Sequence, residues 1–182
     1  FYSIVGYSGT DNPYLQASII LDNFSRPFNG RCHYNNFPIC IDHKNMTELE
    51  KSRFEELKKT YQFIDTAVIS IGGSLNMDYP YLEEFLYFKK NLDTSEALSI
   101  PHGNLLGHVF YDKHEKLVLP ERYSMTSMPL EILEEVKNVI CIANGERKVD
   151  ALISAAKQGY IKSLITDEPT AKAISMKLDN SI

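Results

Sequence analysis

The chain has 182 residues, 43% of them hydrophobic and 24% charged, and its formal net charge is −5. That length is enough for one α/β domain with a substantial core, and the composition is ordinary for a globular protein. The acidic balance argues against direct nucleic-acid binding by this segment, and the sequence has neither a run long enough to cross a membrane nor a signal-peptide pattern. Three cysteines without a metal-type spacing predict free thiols in a reducing compartment, so we expect a cytoplasmic protein.

The chain opens with a predicted strand and a predicted helix. Residues 1–5 alternate aromatic and aliphatic side chains, which predicts a strand. Residues 6–13 form a loop rich in glycine and hydroxyl groups, and its chemistry fits either a plain turn or contact with a polar ligand. Residues 13–24 predict a helix with Ile19 and Ile20 on its apolar side.

A second helix is predicted over residues 47–61. Thr47 and Glu50 have the spacing of a capping box, in which each side chain satisfies a backbone N–H of the other residue. The charged residues form a solvated face, and the buried side is predicted to consist of Leu49, Phe54 and Leu57.

A buried strand is predicted over residues 66–71, directly before Gly72 and Gly73. A glycine turn after a buried strand lies at the edge where open α/β sheets bind ligands. Further along, residues 79–91 predict a helix with an aromatic stripe for core packing, and residues 99–112 predict a turn, a short element and a strand.

Three shorter elements complete the middle of the chain. Residues 112–115 predict a hairpin turn, and the segment over residues 116–119 follows it. Residues 129–135 predict a short helix.

The C-terminal part predicts a strand, a glycine turn, a helix and a second strand. Residues 139–143 are apolar and rich in β-branched side chains, which predicts a buried strand. Residues 148–158 have apolar positions at helical spacing, and Gly159 after them is a signal for the helix end. Residues 163–166 predict the next strand. A strand–helix–strand order of this length requires a crossover, so we expect parallel strands with a right-handed connection. Asp167 and the residues after it predict the start of another helix.

This order places the turn at Asn144 and Gly145 at the carboxyl end of a strand and the start of a helix. We expect it to share the ligand edge with the turn at Gly72 and Gly73. Backbone N–H groups at such a turn carry partial positive charge and suit an anion such as phosphate. Lys148 lies in the first helical turn, where the helix dipole disfavours it, and its position favours a functional reading.

No enzymatic or metal signature accompanies this turn. His102, His108 and His114 are six residues apart, whereas metal sites use tighter pairs. The sequence has no nucleophile elbow, no phosphate-binding P-loop, no dinucleotide-binding glycine motif and no obvious general acid/base pair. We therefore expect no catalytic residue, no metal and no cofactor.

Three segments resemble the C-terminal signature of the SorC-type sugar-binding transcriptional regulators, Ala-Gly-Gly-x-x-Lys, an alanine-rich helix and Leu-x-Thr-Asp-Glu-x-Thr-Ala. The segments cover residues 143–152, 159–161 and 164–171. Residues 102–112 resemble the family's Val-Gly-Asp-Ile-x-Gly and Phe-Phe-Asp motifs, and residues 67–73 resemble its Val-Gly-Ile-Gly strand.

The resemblance implies a Rossmann-like α/β fold with a mostly parallel sheet flanked by helices, like those of ribose-5-phosphate isomerase, glucosamine-6-phosphate deaminase and CoA-transferase. It implies that residues 1–182 form a single effector-binding domain, truncated at its N-terminus, that senses a phosphorylated sugar or related metabolite. A helix-turn-helix domain upstream would bind DNA, and the whole protein would form a homo-oligomer, a dimer or a tetramer. In that pattern Lys148 contacts the phosphate or carbonyl end of the effector, and Asn104, Gly72, Gly73, Asn144 and Gly145 complete the effector site.

Two departures from the family pattern bear on the effector. Asn104 stands where the family has aspartate. A carboxylate that could accept hydrogen bonds from two sugar hydroxyls is thus replaced by an amide, which both donates and accepts. Asn144 replaces the first glycine of the pair; it suits a positive φ, but it obstructs a close approach of phosphate. Two other functions stay open, a sugar-phosphate isomerase or deaminase and, more remotely, a nucleotide-binding module.

Overall fold

Five α-helices and eight strands make up the part of the chain that the computed structural model describes, namely residues 1–7, 14, 16–73, 103–106, 108–110 and 123–179. The helices are α1 (Ala17–Ser25), α2 (Glu48–Tyr61), α3 (Leu130–Glu135), α4 (Val149–Lys157) and α5 (Glu168–Asp179). The strands are β1 (Cys40–Asp42), β2 (Thr66–Ile69), β3 (Ile71–Gly72), β4 (Gly103–Leu105), β5 (His108–Phe110), β6 (Tyr123–Met125), β7 (Asn138–Ile142) and β8 (Ser163–Ile165).

The contacts within the chain divide it into two compact units. The first unit is Phe1–Phe63 with Val118–Pro129, and the second unit is Ile64–Leu117 with Leu130–Ile182. That residues 1–182 act as a single effector-binding domain stays a prediction.

The second unit contains the predicted parallel sheet, in the order β2-β7-β8. Strand β7 pairs in parallel with β2 on one side and with β8 on the other. The predicted strands over residues 139–143 and 163–166 are confirmed to within one residue, and α4 connects them as predicted. This strand–helix–strand arrangement confirms the α/β class.

The two faces of this sheet differ in exposure. Val139 and Cys141 in β7 are fully buried, and Ala67 and Ile69, their partners in β2, are also buried. The alternate residues face the other way, because successive strand side chains point to opposite faces. Apolar side chains are exposed on that second face, at Val68, Ile142 and Ile165.

The predicted strand over residues 66–71 is broken at Ser70. Residues before the break pair with β7, whereas β3 pairs antiparallel with β4, and β4 pairs antiparallel with β5. Gly72 lies opposite Asn104 in this second sheet. The sequence did not predict this antiparallel sheet. It lies in the second unit together with the parallel sheet.

The predicted strand over residues 1–5 is wrong. Tyr2 and Tyr7 make isolated parallel bridges with His33 and Pro38, and no continuous ladder joins the two bridges. Between them the Phe37 N–H donates to the Asn35 side chain and so does not pair with the first segment.

Helix α1 begins at Ala17, four residues later than predicted. Ile19 and Ile20, which the sequence placed on the apolar side, are 36% and 54% exposed. Ser25, the one buried residue of α1, lies at its end, so this helix leaves most of its surface outside the core of the first unit.

Helix α2 confirms its predicted start. The Thr47 side chain accepts the Glu50 N–H, and the Glu50 carboxylate accepts the Thr47 N–H. Phe54 is buried as predicted, but Leu49 is 60% exposed, so its assignment to the buried side is wrong. Five residues correspond to a rotation of about 140° beyond one full turn, so Leu49 cannot share the face of Phe54.

Several predicted features fall outside the described residues. These are most of the loop over residues 6–13, the helix over residues 79–91, and the hairpin turn over residues 112–115 with the segment after it. The predicted short helix over residues 129–135 is confirmed as α3, and the three cysteines are free thiols. Among the helices of the described part, none has both the length and the apolar character needed to span a membrane.

A buried polar network holds the first unit together around Tyr61. The Tyr61 hydroxyl donates to the Thr126 carbonyl at 2.7 Å and accepts from the Asn35 side-chain amide at 3.0 Å. Asn35 also donates to the Thr126 carbonyl at 2.9 Å, and Tyr61 is only 1% exposed. Burial raises the pKa of Tyr61, so its hydroxyl stays protonated and keeps donating.

We expect Tyr61→Phe to lower the free energy of unfolding by about 1–2 kcal/mol, because a buried carbonyl loses a donor and a buried amide loses an acceptor. Urea unfolding followed by circular dichroism measures this change. The matched control is Tyr34→Phe, which removes an exposed hydrogen bond to Asp22 and should cost less than about 0.5 kcal/mol. Equal losses in the two variants would show that the buried hydrogen bonds of Tyr61 contribute no more to stability than the exposed hydrogen bond of Tyr34.

Candidate functional site

The Asn144–Gly145 turn follows the central strand of the parallel sheet. Ala143 is buried, and its N–H donates to the Ile165 carbonyl at 3.1 Å, so the sheet pairing extends to the start of the turn. Gly145 then adopts φ 106° and ψ 136°. Residues with side chains rarely adopt a positive φ, and this ψ also lies outside the left-handed helical region that asparagine tolerates. Glycine is therefore required here by the backbone.

Lys148 lies at the end of a 3-10 turn, Glu146–Lys148, directly before α4. Its backbone N–H donates to the Gly145 carbonyl at 2.9 Å, so its position depends on the conformation of the glycine. Lys148 is partly exposed. Burial raises the pKa of the Cys141 thiol in β7 to about 11, and the Lys148 charge acts in the opposite direction. The lysine charge is therefore close enough to act on the buried strand that precedes the turn.

The turn at Gly72 and Gly73 packs directly against this 3-10 turn. A Cβ atom on Gly73 would lie 2.3 Å from the Arg147 carbonyl oxygen and 3.0 Å from the Arg147 carbonyl carbon. Such a distance is not tolerated, so only glycine permits this contact between the two backbones. The structure thus confirms the prediction that the two glycine turns share one edge.

Asn104 joins this region through the antiparallel sheet. It lies opposite Gly72 in the pairing of β3 with β4, and both strands contact α4. The predicted residues therefore fall into two linked groups, which together we term the two-turn edge: Gly72, Gly73 and Asn104 on one side, and Asn144, Gly145 and Lys148 on the other.

The Gly145 N–H is bonded within the protein. It donates to the Thr170 hydroxyl oxygen at 2.8 Å. Asn144 has no positive φ, so the backbone does not explain its presence. Its side chain interacts with the Asp167 carboxylate instead.

Asp167 caps α5 and connects it to the turn. The Thr170 N–H donates to Asp167 Oδ1 at 3.0 Å. The Thr170 side chain, the Thr170 N–H and then the Asn144 side chain hold the pKa of Asp167 below its ordinary value, although Asp167 is exposed. The cap was predicted from the sequence, but the link from Thr170 to Gly145 was not, because the two residues are 25 positions apart.

Within the described residues, no group of three or more histidine, cysteine, aspartate or glutamate side chains is placed to hold a metal ion. The chemistry available at the two-turn edge is one lysine charge, amide side chains and the open backbone at Gly145. These groups suit recognition of an anion and of hydroxyl groups.

The sequence model of the Sugar-bind family, described as "Putative sugar-binding domain", matches residues 1–175. Among curated proteins, the chain is similar to the transcriptional regulator LsrR of Escherichia coli strain K12, with 28% identity over 114 residues, which is 62% of this chain and 36% of that protein. LsrR of Enterobacter sp. strain 638 is 26% identical over 111 residues, 60% of this chain and 34% of that protein. The chain thus matches about a third of the length of these regulators.

Two solved structures are similar in fold. A transcriptional regulator from Streptococcus pneumoniae TIGR4 has a TM-score of 0.78 at 24% identity, covering 99% of this chain and 68% of that one. The full-length sorbitol operon regulator SorC from Klebsiella pneumoniae has a TM-score of 0.74 at 16% identity, covering 94% of this chain and 56% of that one. At these identities the likeness establishes the fold.

We expect Gly73→Ala to destabilise the protein by about 1–3 kcal/mol, because the new methyl group meets a backbone carbonyl that has no rotamer to change. Thermal unfolding measures the loss. The control is Gly30→Ala, where the added methyl meets the ring of Phe1, a partly exposed side chain whose rotamer can change. If Gly73→Ala costs no more than the control, the two turns are not in contact.

We expect Gly145→Ala to cost about 1–3 kcal/mol through backbone strain alone, since no atom lies within 4 Å of the added methyl group. Gly145→Asn should cost a similar amount, because the ψ of 136° lies outside the region that asparagine tolerates. Urea unfolding of both variants tests this. Wild-type stability in the asparagine variant would contradict the conformation of the turn described above.

Proposed function

We propose that this chain, which belongs to the Sugar-bind family of sugar-binding domains, binds a phosphorylated sugar or related metabolite at the two-turn edge. The observation that carries the proposal is the direct backbone contact between Gly73 and Arg147. It brings two glycine turns from separate parts of the chain together beside Lys148.

Each group of the two-turn edge has a role in this proposal. Lys148 pairs with the phosphate, and a charge-assisted hydrogen bond of this kind is the strongest single contact available there. Asn104 recognises a sugar hydroxyl as both donor and acceptor. Gly145 allows a ligand to approach the backbone closely, because no atom lies within 4 Å of the place where a Cβ would stand. Since the Gly145 N–H is already bonded, the anion relies on Lys148 more than on the helix start.

In the whole protein, we propose that this domain is the effector sensor of a cytoplasmic transcriptional regulator. A separate helix-turn-helix domain would bind DNA, and the protein would act as a homo-oligomer. The effector would bind one arrangement of the oligomer better than another and so shift the population between them. The support is that the relatives LsrR and SorC are regulators by name. These relatives give no support to an isomerase or deaminase.

The proposal is tested by thermal unfolding of the protein with a panel of phosphorylated sugars, each beside its unphosphorylated parent. A ligand at about 100 times its dissociation constant adds roughly 2.7 kcal/mol, which raises the melting temperature by about 5–10 °C at this size. A rise with phosphorylated compounds alone is the expected result. A rise in melting temperature with the parent sugars as well would show that binding does not need the phosphate.

We expect Lys148→Ala to weaken binding of the stabilising compound by about ten- to a hundredfold, which is the loss of one charge-assisted hydrogen bond of about 1.5–3 kcal/mol. Isothermal titration calorimetry gives the dissociation constants. Lys157→Ala is the control, because it removes the same charge at the C-terminal end of α4, whereas Lys148 directly precedes its N-terminal end. Unchanged affinity in Lys148→Ala would remove the lysine from the site.

A further inference from the structure

Thr170 is the only side chain that the described hydrogen bonds connect to the Gly145 N–H. Its hydroxyl oxygen accepts that N–H at 2.8 Å. Thr170 belongs to the first turn of α5, whereas Gly145 follows β7, and α4 and β8 lie between them in the chain. One hydroxyl group therefore ties the loop after the central strand to a helix 25 residues away.

Thr170 is itself held in place by the start of α5. Its N–H donates to Asp167 Oδ1 at 3.0 Å, and the Ala171 N–H donates to the Asp167 carbonyl at 3.0 Å. Asn144 interacts with the same Asp167 carboxylate. Both residues of the turn thus meet the cap of α5, one through Asp167 and the other through Thr170.

The effect of this contact continues along the chain to Lys148. The N–H of Gly145 is bonded to Thr170, and its carbonyl accepts the Lys148 N–H at 2.9 Å. The Gly145 peptide groups on both sides are therefore fixed in one conformation, φ 106° and ψ 136°, out of the many that a glycine can adopt. A turn that is already ordered costs less conformational entropy when a ligand binds.

Thr170 cannot serve as a ligand contact, because only 2% of it is exposed. We propose that Thr170 is a positioning residue, whose hydroxyl fixes the Asn144–Gly145 turn and with it Lys148, so that anion affinity depends on a side chain outside the site. This inference deepens the proposed function and rests on it for the identity of the site. Threonine is required for its hydroxyl and not only for its volume.

The test compares Thr170→Val, which keeps the shape and removes the hydroxyl, with Thr170→Ser, which keeps the hydroxyl. The control is Thr126→Val in the first unit, where an equally buried threonine hydroxyl donates to the Pro38 carbonyl at 2.7 Å. Amide hydrogen exchange of Gly145 reports the turn itself. Titration with inorganic phosphate, followed by NMR at the Gly145 and Lys148 amides, reports the affinity.

Thr170→Val should speed Gly145 exchange and weaken phosphate binding, each by roughly tenfold, as expected for the loss of one hydrogen bond. Thr170→Ser should restore most of both. Thr126→Val should lower stability without changing either quantity.

Three outcomes would overturn the inference: unchanged exchange and affinity in Thr170→Val, no rescue by serine, or an equal loss of affinity in Thr126→Val. If the wild-type protein binds neither phosphate nor any compound of the panel, the proposed function is wrong. Gly145 exchange in Thr170→Val then still decides whether Thr170 holds the turn, because it is measured without a ligand.

Discussion

The position of β7 between two parallel neighbours is the constraint on which the second unit depends. A central parallel strand must satisfy its backbone groups on both sides, and β7 does so with β2 and β8. Because the three strands run in the same direction, the segments that follow them emerge at the same edge. The loop after β7 is therefore placed beside the start of α5, which follows β8. Full burial of Val139 and Cys141 fixes the register, since a shift of one residue would reverse the faces.

The sequence predicted this part of the fold well, and the reason is physical. Around β7 the local preferences and the tertiary structure agree: a β-branched run forms a buried strand, helical spacing forms α4, and Gly159, with φ 80°, ends the helix. The same agreement holds at α2, where the capping box forms as predicted. The meeting of two glycine turns was also predictable, because parallel strands bring their carboxyl ends to one edge.

Other features depend on contacts between distant residues and could not be predicted from local patterns. Residues 1–5 have a strand-like sequence, but their pairing with the partner segment is interrupted between Tyr2 and Tyr7, where the Phe37 N–H donates to the Asn35 side chain. Ser70 separates two strands that belong to different sheets, although the apolar run continues through it. The hydroxyl of Thr170 has an obvious local use in a helix start, and nothing nearby in the sequence indicates that it accepts a bond from Gly145. By contrast, the exposure of Leu49 could have been predicted, because helix geometry alone places it on a different face from Phe54.

The contact at Gly73 has a mechanical consequence. Where two loops meet through side chains, rotamer changes absorb part of any movement. At this point one backbone meets another, since no side chain stands between Gly73 and the Arg147 carbonyl. Gly72, the residue before Gly73, pairs with Asn104 of β4, so the contact lies one residue from the antiparallel sheet. The loop beside Lys148 and the antiparallel sheet are thus in direct backbone contact, and a movement of the loop toward Gly73 finds no side chain that could absorb it.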